Sequence, residues 1–297
     1  MPDPTILEIP DHGGSVAVIA DLHFRSYIWH GGNPLAFHGL EDRMRREHLD
    51  ALIVAGDLSD IPSQSWNDAL QYLSSYVPAE RIYVLPGNHD YYGDRLDDES
   101  PLRELAKTSG AMLVQKVELR HRDDRYLCAT LWTDFKLCNN RSEAMATAPR
   151  FIRDYDMISR TAPGSDILDV DEVRSRRLVP ITPADTISTH IDHRRWLEER
   201  LAAPHFAGEG RTFVITHHGP HPSAAGAMDK LAPAFHSNLQ DVLAANDIDT
   251  WFFGHSHRRL SSMVAGTRIQ NVSIGYADEE HSEGEDELAE ACFVPVD

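Results

Sequence analysis

Tyr83-Val84-Leu85-Pro86-Gly87-Asn88-His89-Asp90 is the stretch on which the reading of this chain turns. An apolar run closed by Pro-Gly reads as a buried strand entering a turn. The turn presents an amide, an imidazole and a carboxylate side by side. In an open α/β sheet, ligands gather at the carboxyl ends of the strands, so these three groups are candidates for chemistry. The question is whether other strand ends supply partners.

Upstream, Val16-Ala17-Val18-Ile19-Ala20 is a short apolar run ending in Asp21-Leu22-His23, and Ala51-Leu52-Ile53-Val54-Ala55 ends in Gly56-Asp57. Between them lie segments of helical spacing, Gly39 to Asp50 and Trp66 to Tyr76. The pattern is βαβαβ and predicts a parallel sheet. Downstream, Leu102 to Thr108 reads as a helix, and Leu113 to Arg120 and Tyr126 to Trp132 as two strands. Thr186 to Leu201 and Phe235 to Ala245 read as helices. Arg211 to Thr216 and Thr250 to Phe253 are further buried strands, ending at His217-His218-Gly219-Pro220 and Gly254-His255-Ser256-His257. Residues 262–276 read as a hairpin turning at Ala265-Gly266-Thr267.

The 297 residues, 41% of them hydrophobic, can bury a large core. We expect one domain over residues 1–277. The least regular segment, about 134–185, reads as an insertion or cap, a natural place for substrate selection. Residues 278–297 hold nine acids and no Lys or Arg, the composition of a solvated tail, and end in a short strand over Cys292 to Val296. The net charge of -19 therefore leaves 28 bases against 38 acids, or -10, on the body. That balance disfavours nucleic acid as a partner. No run approaches a membrane span of about 20 residues, and the N-terminus shows no secretory signal. Three widely spaced cysteines argue against a disulfide framework and suit a cytoplasmic location. A homo-oligomer stays open.

Five expected strand ends thus carry metal-competent groups: Asp21 and His23; Asp57; Asn88 and His89; His217; His255 and His257. Strand alternation is expected to bring both members of Asp-x-His and His-x-His to one side. The donors are nitrogen and oxygen without thiolate, which favours Mn, Fe, Zn, Co or Ni. Seven ligands are too many for one tetrahedral ion and suffice for two ions sharing a carboxylate, about 3.5–4 Å apart.

This series, in this order and at these strand ends, resembles the calcineurin-like metallophosphoesterase superfamily over roughly residues 16–276, in a bacterial cytosolic branch of unassigned substrate. The resemblance implies a four-layer α/β/β/α sandwich with a site for two divalent or mixed-valence metal ions at the carboxyl ends of the strands. It implies Asp21, His23, Asp57 and His257 at the first metal, with Asp57 bridging to a second held by Asn88, His217 and His255. His89 would contact the phosphate and protonate the leaving oxygen, with Asp90 orienting its ring; His218 and His221 flank the site as candidate substrate contacts. The implied activity is hydrolysis of small phosphodiesters or phosphomonoesters, nucleotides among them, by a metal-bridging hydroxide, with diesters favoured. The alternatives are a nuclease, a protein phosphatase and a non-catalytic scaffold. Gly56-Asp57-Leu58-Ser59-Asp60-Ile61 lacks the Asp-Arg-Gly of the superfamily's protein phosphatases, which lowers that reading.

Overall fold

The computed structural model of the chain describes residues 4–36, 39–138, 140–164, 177–279 and 285–294. The strands among them are β1 (Thr5–Glu8), β2 (Ser15–Ile19), β3 (Leu49–Ala55), β4 (Ile82–Leu85), β5 (Met112–Leu113), β6 (Val117–His121), β7 (Asp124–Cys128), β8 (Ser159–Thr161), β9 (Leu178–Pro180), β10 (Thr212–Ile215), β11 (Thr250–Phe253), β12 (Ser261–Val264) and β13 (Thr267–Asn271). β2-β3-β4-β5 form an all-parallel sheet. β1-β6-β7-β10-β11-β13-β12 form a mixed sheet in that order, and β8 and β9 pair as a separate hairpin.

Side-chain alternation in the larger sheet defines the layers. Phe213 and Ile215 of β10 and Phe252 of β11 belong to the core shared with the smaller sheet. Val214, Trp251 and Phe253 point the other way, to Leu197 and Leu201 of the helix Pro183–Ala202. Across the smaller sheet, Trp66, Ala69, Leu70 and Leu73 of the helix Pro62–Leu73 and Leu102 and Ala106 of Ser100–Thr108 are buried. The result is helices, sheet, sheet, helices: the four-layer α/β/β/α arrangement. Strands covered on both faces favour apolar residues at nearly every position, which is why most of β2, β3, β4, β10 and β11 reads as apolar runs. Trp66 and Trp251 are fully buried, and truncating either to Ala would cost about 3–5 kcal/mol.

Several elements depart from the sequence reading. β1, with three of its four residues exposed, pairs with β6 at the sheet edge and was not expected. The Phe235–Ala245 helix is two short helices, Ala232–Phe235 and Gln240–Ala245. Part of the acidic C-terminal stretch is built into the fold: Glu285–Ala291 is a helix with Leu288 buried. Phe293 bridges antiparallel to Ala17 of β2, and the Arg43 guanidinium lies 4.1 Å over its ring. Apolar Leu288, Cys292 and Phe293, buried in the core, outweigh the charge around them. Residues 280–284 and 295–297 of that stretch, and 139 and 165–176 of the insertion, lie outside the described residues. The described insertion contains the helices Arg141–Phe151 and Asp154–Met157 followed by β8 and β9. No helix among the described residues is long and apolar enough to cross a membrane.

Candidate metal centre

The loops leaving β2, β3, β4, β10 and β11 meet at one end of the two sheets. Asp21 and His23 follow β2, Asp57 follows β3, Asn88 and His89 follow β4, His217 follows β10, and His255 and His257 follow β11. Their convergence does not come from strand alternation. Asp21, His23, Asp57, His255 and His257 all have positive φ, at 55°, 40°, 54°, 65° and 52°. The strands have ended, and left-handed kinks turn the side chains together. Each such conformation costs about 1–3 kcal/mol and persists where surrounding contacts enforce it, typically at functional sites. Glycines let the loops close in. A Cβ on Gly87 would lie 2.2 Å from Asp57 Oδ1, and one on Gly56 2.2 Å from His217 Nδ1.

Two groups of donors share one carboxylate. In the first, His23 Nε2 lies 3.1 Å from His257 Nε2, and His257 Nε2 lies 3.5 Å from Asp21 Oδ1. In the second, His217 Nε2 lies 2.9 Å from Asn88 Oδ1, with His255 in the same cluster. Asp57 Oδ2 stands between them, 3.8 Å from His23 Nε2 and 3.4 Å from His217 Nε2. Two of the other ring nitrogens are spoken for. His217 Nδ1 donates to the Ala55 carbonyl at 3.0 Å, and His257 Nδ1 meets the Glu279 carboxylate at 2.9 Å, which turns both Nε2 atoms inward. Facing imidazole nitrogens beside two fully buried carboxylates, with only nitrogen and oxygen donors, fit a pair of hard or borderline divalent cations.

Burial disfavours the imidazolium form of His217 and His257, but the carboxylates of Asp57 and Asp21 outweigh it, pushing the two rings up to about 9 and about 10. Burial raises Asp21 and Asp57, yet the histidines around them hold both below the usual carboxylate range. His255 is driven well below the ordinary value by burial and then by His218. Burial also opposes charge on His89, but Asp57 and Asp60 raise it above the ordinary value.

The His89 ring is held by Asp60, not by Asp90. Asp60 Oδ1 lies 2.6 Å from His89 Nδ1. The Asp90 carboxylate instead accepts the backbone N–H groups of Asp57 and Gly87, both at 2.8 Å, and the Trp66 indole N–H at 2.9 Å. It clamps the two loops together and has no contact with the imidazole. The fully buried Trp66 and these turn amides compete for Asp90, while the carboxylate three residues after Asp57 is free to reach His89. The spacing Asp57-x-x-Asp60 was the signal for this role. On its other side, His89 stacks on Tyr92 with centroids 4.3 Å apart, and its Nε2 lies 3.3 Å from Tyr92 Oη and 3.4 Å from Tyr276 Oη.

His218 and His221 lie off the cavity beside this centre. The His218 ring is buried between Trp132 and His255, at centroid distances of 4.9 and 4.3 Å. His221 is tied to Ser223 and Gln240 at 2.8 and 3.0 Å. The cavity, about 450 Å³, is lined by Phe151, Ile152, Phe235 and Tyr276, with Asp60, Asp154 and Glu279 also at its walls. Asp154 and Glu279, unread in the sequence, come from the insertion and the start of the acidic stretch.

The family's sequence profile, calcineurin-like phosphoesterase, matches residues 14–259. The chain belongs to that family. Its members are metal-dependent phosphoester hydrolases with a dimetal site, and this chain holds candidate metal-binding clusters. No curated protein matches the sequence significantly. Among solved structures, the phosphopantetheinyl hydrolase from Mycobacterium tuberculosis superposes with a TM-score of 0.57 at 15% identity, covering 88% of this chain and 89% of that one. A dimetal phosphatase from Danio rerio gives 0.49 at 15% identity, covering 91% and 87%. At 15% identity the likeness to the first of these is one of fold.

Proposed function

We propose that this protein is a dinuclear metal-dependent phosphoesterase of small organic phosphates, with diesters favoured over monoesters. The observation that carries the reading is Asp57 Oδ2, placed 3.8 Å from His23 Nε2 on one side and 3.4 Å from His217 Nε2 on the other. Asp21, His23, His257 and Asp57 would hold one ion, and Asp57, Asn88, His217 and His255 the other. When bound, the two ions supply Lewis acidity, lowering the pKa of water and neutralising phosphoryl charge.

The chain's own residues do the rest. His89 lines the cavity, with Asp60 on Nδ1 and the Tyr92 and Tyr276 hydroxyls beside Nε2, and in this reading Nε2 gives a proton to the leaving oxygen. Phe151, Ile152, Phe235 and Tyr276 offer apolar surface to the organic part of the substrate. Four acids and a single Lys or Arg, Arg153, are among the described lining residues.

The test is hydrolysis of p-nitrophenyl phosphate and bis-p-nitrophenyl phosphate by metal-stripped protein reconstituted with Mn, Fe, Zn, Co or Ni, beside His89→Ala. Metal-dependent turnover, faster on the diester and reduced in the variant, is expected. No turnover of either ester with any metal would refute the reading.

A further inference from the structure

We infer that Asp154, supplied by the insertion, is a positioning residue that selects which end of the Asn88 amide faces the second metal position. The inference rests on the dinuclear site proposed above. An amide can ligate a cation only through oxygen, and its two ends are nearly equal in size, so something must choose between them. Asn88 Oδ1 points at His217 Nε2, 2.9 Å away, and Asn88 Nδ2 donates to Asp154 Oδ1 at 2.8 Å. Asp154 is the one acceptor for that N–H₂ group among the described residues. A carboxylate only accepts. A reversed amide would set its oxygen against the Asp154 oxygen and its N–H₂ against the metal position, so two like contacts would replace two favourable ones.

The same oxygen, Asp154 Oδ1, also accepts from Tyr92 Oη at 2.8 Å, and Tyr92 is the ring stacked on His89. One buried acid therefore fixes a candidate ligand directly and the His89 ring through one intermediary. Its partners are buried as well, Asn88 at 2% and Tyr92 at 4% exposure, so water cannot substitute cheaply for it. The backbone around it is held in turn: the Ile158 N–H donates to the Asp154 carbonyl at 2.9 Å and the Gly93 N–H to the Met157 carbonyl at 2.8 Å, tying the short helix Asp154–Met157 to the loop after β4. The insertion thus contributes to the metal position as well as to the cavity wall.

The test is calorimetric titration of Mn(II) into metal-stripped wild-type protein, Asp154→Ala and Asp154→Asn. Removing an outer partner of a ligand typically weakens metal binding by about 10–100-fold. In Asp154→Ala that loss is expected at one of the two sites, with the other unchanged. Asp154→Asn keeps an acceptor without its charge, and a loss of a few-fold at the same single site is expected. Two sites of wild-type affinity in Asp154→Ala, or equal weakening of both, would overturn the inference while leaving the dinuclear reading intact. Should Asp154→Ala not fold, Asp154→Asn decides: no loss, or equal loss at both sites, overturns it. A wild-type protein that takes up no metal would overturn the dinuclear reading and this inference with it.

Discussion

Replacing Asp60 by Asn tests the assignment of the His89 partner. The carboxylate lies 2.6 Å from His89 Nδ1, and a hydrogen bond to a charged group contributes about 1.5–3 kcal/mol. The Asp60 side chain is 33% exposed, so screening places the value in the lower part of that range, about 1.5–2 kcal/mol. Asparagine keeps the size and an acceptor but removes the charge that favours a protonated His89. If His89 protonates the leaving oxygen in the transition state, kcat should fall roughly 10–30-fold, a tenfold loss being about 1.4 kcal/mol. Because Asp60 is among the groups that raise the His89 pKa, the alkaline limb of the kcat profile should move to lower pH in the variant. The assay is steady-state kinetics from pH 6 to 10 on a p-nitrophenyl ester and on a phenyl ester. Phenolate is the poorer leaving group and needs the proton more, so its loss should be the larger. An unchanged alkaline limb, with equal losses on both esters, would refute the role of Asp60.

The remaining predictions concern the metal positions. In metal-free protein His217 and His257 are pushed up to about 9 and about 10; both are protonated at pH 8 and must lose a proton to ligate. Metal uptake at pH 8 should therefore release about two protons, measurable by calorimetry in buffers of different ionisation enthalpy, and affinity should rise with pH. The raised values also stabilise the metal-free fold, fully below about 6.5, and that contribution is lost as pH climbs through 9 and 10; the melting temperature of stripped protein should fall between pH 8 and 10. Glu279→Ala removes the partner of His257 Nδ1 and should weaken one metal by about 10–100-fold in the same titration. Gly87→Ala places a Cβ 2.2 Å from Asp57 Oδ1 and 2.6 Å from the Asp57 backbone nitrogen; the loop carrying Asp57 must shift, and binding of both ions should be abolished in the same titration.

The parallel core and the candidate metal ligands after its strands were legible because they obey local rules. Strands buried on both faces are largely apolar runs, and a polar residue after such a run marks a strand end. What local pattern did not disclose falls into two kinds. The first is backbone conformation: His23 and His257 approach within 3.1 Å through left-handed kinks, and the alternation expected of an extended chain gave convergence for the wrong reason. The second is long-range pairing. Asp154 meets Asn88 across 66 residues and Glu279 meets His257 across 22, from segments whose composition suggested a cap and a solvated tail. β1 was missed for a related reason: an edge strand paired on one side needs no apolar run. The imidazole was expected to take Asp90 as its partner, and Asp60 was given no role, because adjacency in sequence stood in for adjacency in space. Asp90 is drawn to buried amides and an indole, and Asp60 is left for the imidazole.

Anomalous diffraction from a crystal soaked in Mn(II) tests the dinuclear site most directly. The account predicts two anomalous peaks about 3.5–4 Å apart, one among Asp21, His23 and His257, the other among Asn88, His217 and His255, with Asp57 touching both. A single peak, or two peaks that do not share Asp57, would contradict it.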